Sequence, residues 1–149
     1  MAIIKLIHVL AVLIWVGGMF FAYVVLRPAA VEVFEPQHRL RIWNPVFRRF
    51  FVWVWSAIAV LLLSGFYMIY LYGGFTYIPV YVHAMLTMGI LMIAIYTYVY
   101  FVCYKPFSLH VVNQDWKEAG ELLGKIRKLI AANLGLGLLT VCVAVLGAH

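Results

Sequence analysis

The sequence predicts an all-α integral membrane protein: a four-transmembrane-helix up-down bundle with an amphipathic cytoplasmic helix before the fourth span. Three observations carry this. Of the 149 residues, 67% are hydrophobic and only 11% charged, with a mean hydropathy of +1.04. A soluble domain cannot hide that much apolar surface. The apolar runs are each about 20 residues or longer. They do not alternate with polar residues, so they satisfy their backbone as helices and not as barrel strands. The five acidic residues all lie outside the apolar runs.

The first helix is expected over residues 3–26, with Gly17, Gly18 and Ala22 allowing another helix to approach closely. Arg27-Pro28 is expected to close it, because Pro disfavours helix continuation. Residues 27–50 read as a polar connection broken by Pro28, Pro36 and Pro45. Part of it suits a short interfacial helix, with Phe34, Trp43 and Phe47 dipping into the headgroups. The second helix spans residues 51–72 and carries no charge, its polar groups including Ser64 and the aromatic hydroxyls. Trp53 and Trp55 at its start, and Tyr67, Tyr70 and Tyr72 at its end, read as two interfacial belts. Gly73-Gly74 forms an uncharged turn. The third helix covers 79–104 and is closed by Lys105-Pro106.

From Asp115 to Leu129 the pattern is amphipathic, with Trp116, Ala119, Leu122, Leu123 and Ile126 on one broad face. This stretch is expected to lie along the membrane surface and bend into the fourth helix, over 127–146. There Asn133, Gly137, Thr140 and Ala144 make a small, partly polar stripe. Residues 1–149 read as a single four-helix domain.

The net charge of +6 reflects topology and not nucleic-acid binding. Of 11 Lys and Arg residues, all but Lys5 lie in or beside the two polar connections. The positive-inside rule places both connections in the cytoplasm and both termini outside, across a bacterial-type inner membrane. The first apolar run continues to Leu26, so a retained helix is expected and not a cleaved leader. Cys103 and Cys142 fall toward opposite faces and are expected to stay unpaired, both as buried small hydrophobes.

Lys5, His8, Val12, Trp15 and Met19 share one stripe of the first helix. A cation and an imidazole are costly in hydrocarbon, so that stripe should face the bundle, water or a ligand. His83 enters the third helix at matching depth, both histidines lying roughly 6–8 Å inside the outer boundary. Helices that run in the same direction through an up-down bundle are often diagonal across its core. Two such imidazoles suit the axial positions of a haem b. Lys5 would then meet a propionate, and Trp15 and Met19 would line the macrocycle. His8 and His83 are accordingly the candidate metal ligands. Copper is the alternative, since His, Met and Cys bind it, and Met19 is a further candidate ligand. Met85, Met88 and Met92 lie about 200° around the third helix from His83, so they do not join it in one site. His38, His110 and His149 read as solvated polar residues.

The chain resembles the small copper-resistance protein D (CopD) family at Lys5-x-x-His8, Trp15-x-Gly17-Gly18 and Leu26-Arg27-Pro28. His83, Arg127 and Asn133 extend the likeness. It also resembles the related HemJ-type protoporphyrinogen oxidases. The first resemblance implies copper uptake or export. The second implies haem b held by helix histidines and oxidation of protoporphyrinogen. The pattern departs from HemJ at Met85, where a Lys is expected, and lacks a Pro-Arg-Leu stretch ending the first helix. Those departures argue against protoporphyrinogen oxidation and leave a haem site intact.

The leading expectation is an inner-membrane haem b protein, with haem between the first and third helices near the outer face. It would pass single electrons to quinone or to a membrane redox partner. The alternatives are a copper transport or delivery protein and a non-catalytic subunit of a larger complex, either as a homo-oligomer or beside other chains. No G-x-S-x-G, phosphate-binding loop or intramembrane carboxylate pair is present, which excludes classical hydrolysis and a carboxylate proton relay.

Overall fold

The computed structural model describes all residues, 1–149, and contains no strand. Four helices are long and apolar enough to cross a membrane: α1 (Ala2–Val33), α2 (Pro36–Leu71), α3 (Val80–Val112) and α4 (Trp116–Gly147). They contain 32, 36, 33 and 32 residues. At 1.5 Å per residue each is about 48–54 Å long, against about 30 Å of hydrocarbon. The excess lies at one end, which carries every Lys and Arg except Lys5. The helices exceed the hydrocarbon there by about 18–24 Å.

The predicted polar connections are therefore mostly helix. Only Phe34 and Glu35 separate α1 from α2. Of the three prolines that were expected to break this stretch, Pro36 does and Pro28 and Pro45 do not, each for a physical reason. Pro36 opens α2, where a missing N–H costs nothing, and Glu35 before it is extended. Pro28 follows a π-helical stretch, Phe21–Leu26, in which the Arg27 N–H reaches back five residues to the Ala22 carbonyl. That wider turn relieves the clash between the Pro ring and the preceding turn of helix. Pro45 remains inside α2 and leaves the Arg41 carbonyl without its helical donor. The same device recurs in α3. The π-helical stretch Val99–Tyr104 bonds the Lys105 N–H to the Tyr100 carbonyl, and the helix passes through Pro106 to Val112.

The amphipathic stretch before the fourth span is likewise not a separate surface helix. It is the first part of α4, and its apolar face packs inward, with Ala119 and Ile126 fully buried. Trp43 and Phe47, expected in the headgroups, are buried in the bundle.

α1 packs along α2, and α3 along α4. The two hairpins meet across an aromatic column. Trp43, Phe47 and Phe51 stack at successive turns of α2, with centroids 5.1 and 5.3 Å apart. Tyr96, Tyr104 and Phe107 of α3 press their edges against it. The Tyr96 hydroxyl donates to the Phe51 carbonyl at 3.1 Å. Only 28 of 149 residues are buried, so most of the apolar side chains stay at least partly exposed, as a bilayer solvent allows. At the end opposite the overhang, Gly73 and Gly74 adopt φ of 95° and 102°, where other residues are strained. Their N–H groups turn back to the Tyr70 and Ile69 carbonyls and close α2.

Candidate functional site

His8 is half-buried on α1, and its Nδ1 lies 2.7 Å from the Ser64 hydroxyl of α2. Ser64 also lies 2.6 Å from the Val60 carbonyl on its own helix. A hydroxyl has one proton, and the short contact to a carbonyl, which can only accept, uses it. Ser64 Oγ is then an acceptor toward His8, and the neutral imidazole carries its proton on Nδ1. Nε2 is left with a bare lone pair, the form in which histidine binds a metal. Gly65 lies beside Ser64 against the ring; a Cβ there would make ordinary van der Waals contact with His8 Cε1, at 3.5 Å.

The other predicted residues sit in three different settings. Lys5 is exposed one turn toward the N-terminal end of the same stripe. It has no ion pair; the chain's one ion pair is His110–Asp115, at 3.2 Å. His83 is exposed on α3, and its aromatic neighbour is Phe75, with centroids 6.5 Å apart. It makes no hydrogen bond to His8, whose partner is on α2. Trp15 and Met19 are 3% and 2% exposed. They lie about 10 and 16 Å along α1 from His8. At that separation Met19 and His8 cannot ligate one ion.

Trp15 packs edge-on against Tyr96 of α3, centroids 6.2 Å apart. With Met19, Tyr96 and Asn133 it encloses a central cavity of about 10 Å³. That is room for about one water and not for a macrocycle. The Asn133 side-chain N–H donates to the Met92 carbonyl at 3.1 Å, while its Oδ1 is buried without a partner and faces no cation. No group of three or more His, Cys, Asp and Glu side chains converges anywhere in the chain. Both cysteines are free; Cys103 is buried as expected, whereas Cys142, also expected to be buried, is exposed on the outward side of α4.

Ser64 was visible in the sequence only as one of two aliphatic hydroxyls, with Ser56, in an apolar helix. Its pairing with His8 depends on how α1 and α2 cross, which sequence periodicity does not reveal.

Residues 44–146 match the family model described as copper resistance protein D. The match takes in Ser64, His83, Arg127 and Asn133 and begins after His8. No curated protein and no solved structure matches the chain. The match covers well over half of the sequence and all of the last two helices' membrane spans, and the chain belongs to the copper resistance protein D family.

Proposed function

We propose that this protein handles copper at the end of the bundle opposite the basic overhang, with His8 as its own imidazole ligand. The observation that carries the reading is the His8–Ser64 hydrogen bond, which occupies Nδ1 and leaves Nε2 its lone pair for a metal. The family's description supports copper as the metal. A single imidazole is too few ligands for a closed site, so the ion would be held weakly enough to be passed on, as transfer requires. His83, at the same end and exposed, is the second donor this reading recruits. With both basic connections in the cytoplasm of a bacterial-type membrane, the copper-facing end lies outside.

The test is copper(I) binding by the purified protein in competition with a chelator of known affinity. The wild type is expected to take up copper, and His8→Ala to lose at least about tenfold in affinity. Equal competition by both proteins would remove His8 from the site.

One observation favours a second reading. Lys5 stands unpaired one turn from His8. A fixed cation suits a carboxylate-bearing cofactor better than a bound metal cation. In that reading His8 Nε2 and His83 ligate haem b, and Lys5 meets a propionate. Haem would bring one-electron chemistry, while the chain's own part is to orient Nε2 through Ser64. An absorption spectrum after expression with added haem separates the two readings. A Soret band lost in His8→Ala selects haem, and its absence with stoichiometric copper selects the first.

A further inference from the structure

At the basic end, three guanidinium groups from three helices line one groove of about 250 Å³: Arg27 of α1, Arg39 of α2 and Arg127 of α4. We infer that this groove binds the phosphate headgroup of an anionic membrane lipid.

The arginines are arranged for an absent anion and not for one another's neighbours. None has a carboxylate within ion-pair distance. The Nε of Arg27 donates to the Tyr23 carbonyl at 3.2 Å, and the guanidinium lies 4.6 Å over the Tyr23 ring. The Nε of Arg39 donates to the Phe34 carbonyl at 2.9 Å. Each stem is thereby pinned through Nε, and the terminal nitrogens, which form the two-pronged donor for phosphate, make no hydrogen bond within the chain. Arg127 makes none at all. Three cations held close together without a counter-charge repel one another, and a bound anion relieves that repulsion.

The rest of the lining selects an amphiphile. Trp43, Leu123 and Ile130 give the groove an apolar wall. Gly120 and Gly124, one turn apart on α4, form its floor, and a Cβ at either would meet nothing within 4 Å. Glycine is a poor residue for a helix interior, so both positions weaken α4 locally while keeping the groove open. Depth fixes the source. Arg27 lies about 33 Å along α1 from Lys5, one hydrocarbon thickness away, which places its guanidinium at headgroup level. A lipid is present there at high local concentration, with its phosphate at the arginines and its acyl chains toward the bilayer.

The experiment follows thermal unfolding of the full chain in detergent, titrated with phosphatidylglycerol, phosphatidylcholine or inorganic phosphate. Phosphatidylglycerol is expected to raise the unfolding midpoint and phosphatidylcholine not to. Arg27→Gln, Arg39→Gln and Arg127→Gln should each weaken the phosphatidylglycerol response about tenfold. Gly124→Leu should abolish it by filling the groove, without lowering the midpoint measured in detergent alone, and so separates loss of lipid from loss of fold. Equal responses to the two lipids, or an undiminished response in Gly124→Leu, would overturn the assignment. Protection by inorganic phosphate at the same concentration as the lipid would also overturn it, by making the site one for a soluble anion.

Discussion

The Ser64 hydroxyl decides what His8 can do. Without it the neutral imidazole is free to carry its proton on either nitrogen and to rotate about its side-chain bonds. With it, the proton sits on Nδ1, and Nε2 keeps its lone pair. Hydrogen bonds of this kind to a ligand histidine typically account for about 10–100-fold in metal affinity. Ser64→Ala removes the bond and leaves the helix crossing intact, because the Cβ stays and Gly65 is unchanged. Its copper affinity is expected to fall by about 10–100-fold, measured by the same chelator competition as His8→Ala. Ser64→Thr retains a hydroxyl and should lose less. If Ser64→Ala binds copper as the wild type does, Ser64 is no more than a packing residue.

At the level of the helix, glycines that look alike in sequence play different parts. Gly17 has open space where a side chain would go, whereas a Cβ at Gly137 would lie 2.9 Å from Val16 Cγ2 and 3.2 Å from Met92 Cε. Val16 is a short, branched side chain on α1 and cannot swing aside as a long one does. Gly137→Ala is expected to destabilise the bundle by about 1–3 kcal/mol through overpacking. Gly17→Ala should be neutral or stabilising by up to about 1 kcal/mol, because alanine is the better helix former. Reversible unfolding of both variants in mixed micelles gives the comparison, and equal effects would mean that α1 and α4 do not cross at Val16.

This is also where reading the sequence reached its limit. The apolar spans were legible because hydrocarbon demands about 20 residues of continuous apolar helix. The helical overhang was not, since Pro28 and Pro106 carry the ordinary sequence signature of a stop. What lets the chain pass through them is a π turn, and no residue type in Phe21–Leu26 or Val99–Tyr104 announces one. The cost was largest for the arginines. Their positions are plain in the sequence, but their convergence requires α1, α2 and α4 to continue as straight helices past the bilayer.

For the whole molecule, the overhang turns a count of charges into an orientation. Ten cations, and all five acids, sit at one end of a bundle whose other end has Lys5 as its single cationic side chain apart from the histidines. Each Lys or Arg carried to the bilayer centre costs about 2.5–3.5 kcal/mol on insertion scales. The overhang is therefore expected to stay on the side where the chain is made, with the short turn at Gly73-Gly74 crossing in its place. Cysteine labelling in cells tests this directly. In a background of Cys142→Ser, with Cys103 fully buried, Lys117→Cys marks the overhang and Thr76→Cys marks the opposite turn. A membrane-impermeant maleimide is expected to label Thr76→Cys in intact cells, and Lys117→Cys only after permeabilisation. The reverse pattern would put the His8 end in the cytoplasm. Copper would then be met from inside the cell, and the lipid groove would face the outer leaflet. The orientation thus fixes the direction in which a copper-handling protein of this shape can work, because His8 and the three arginines lie at opposite ends of the same rigid helices.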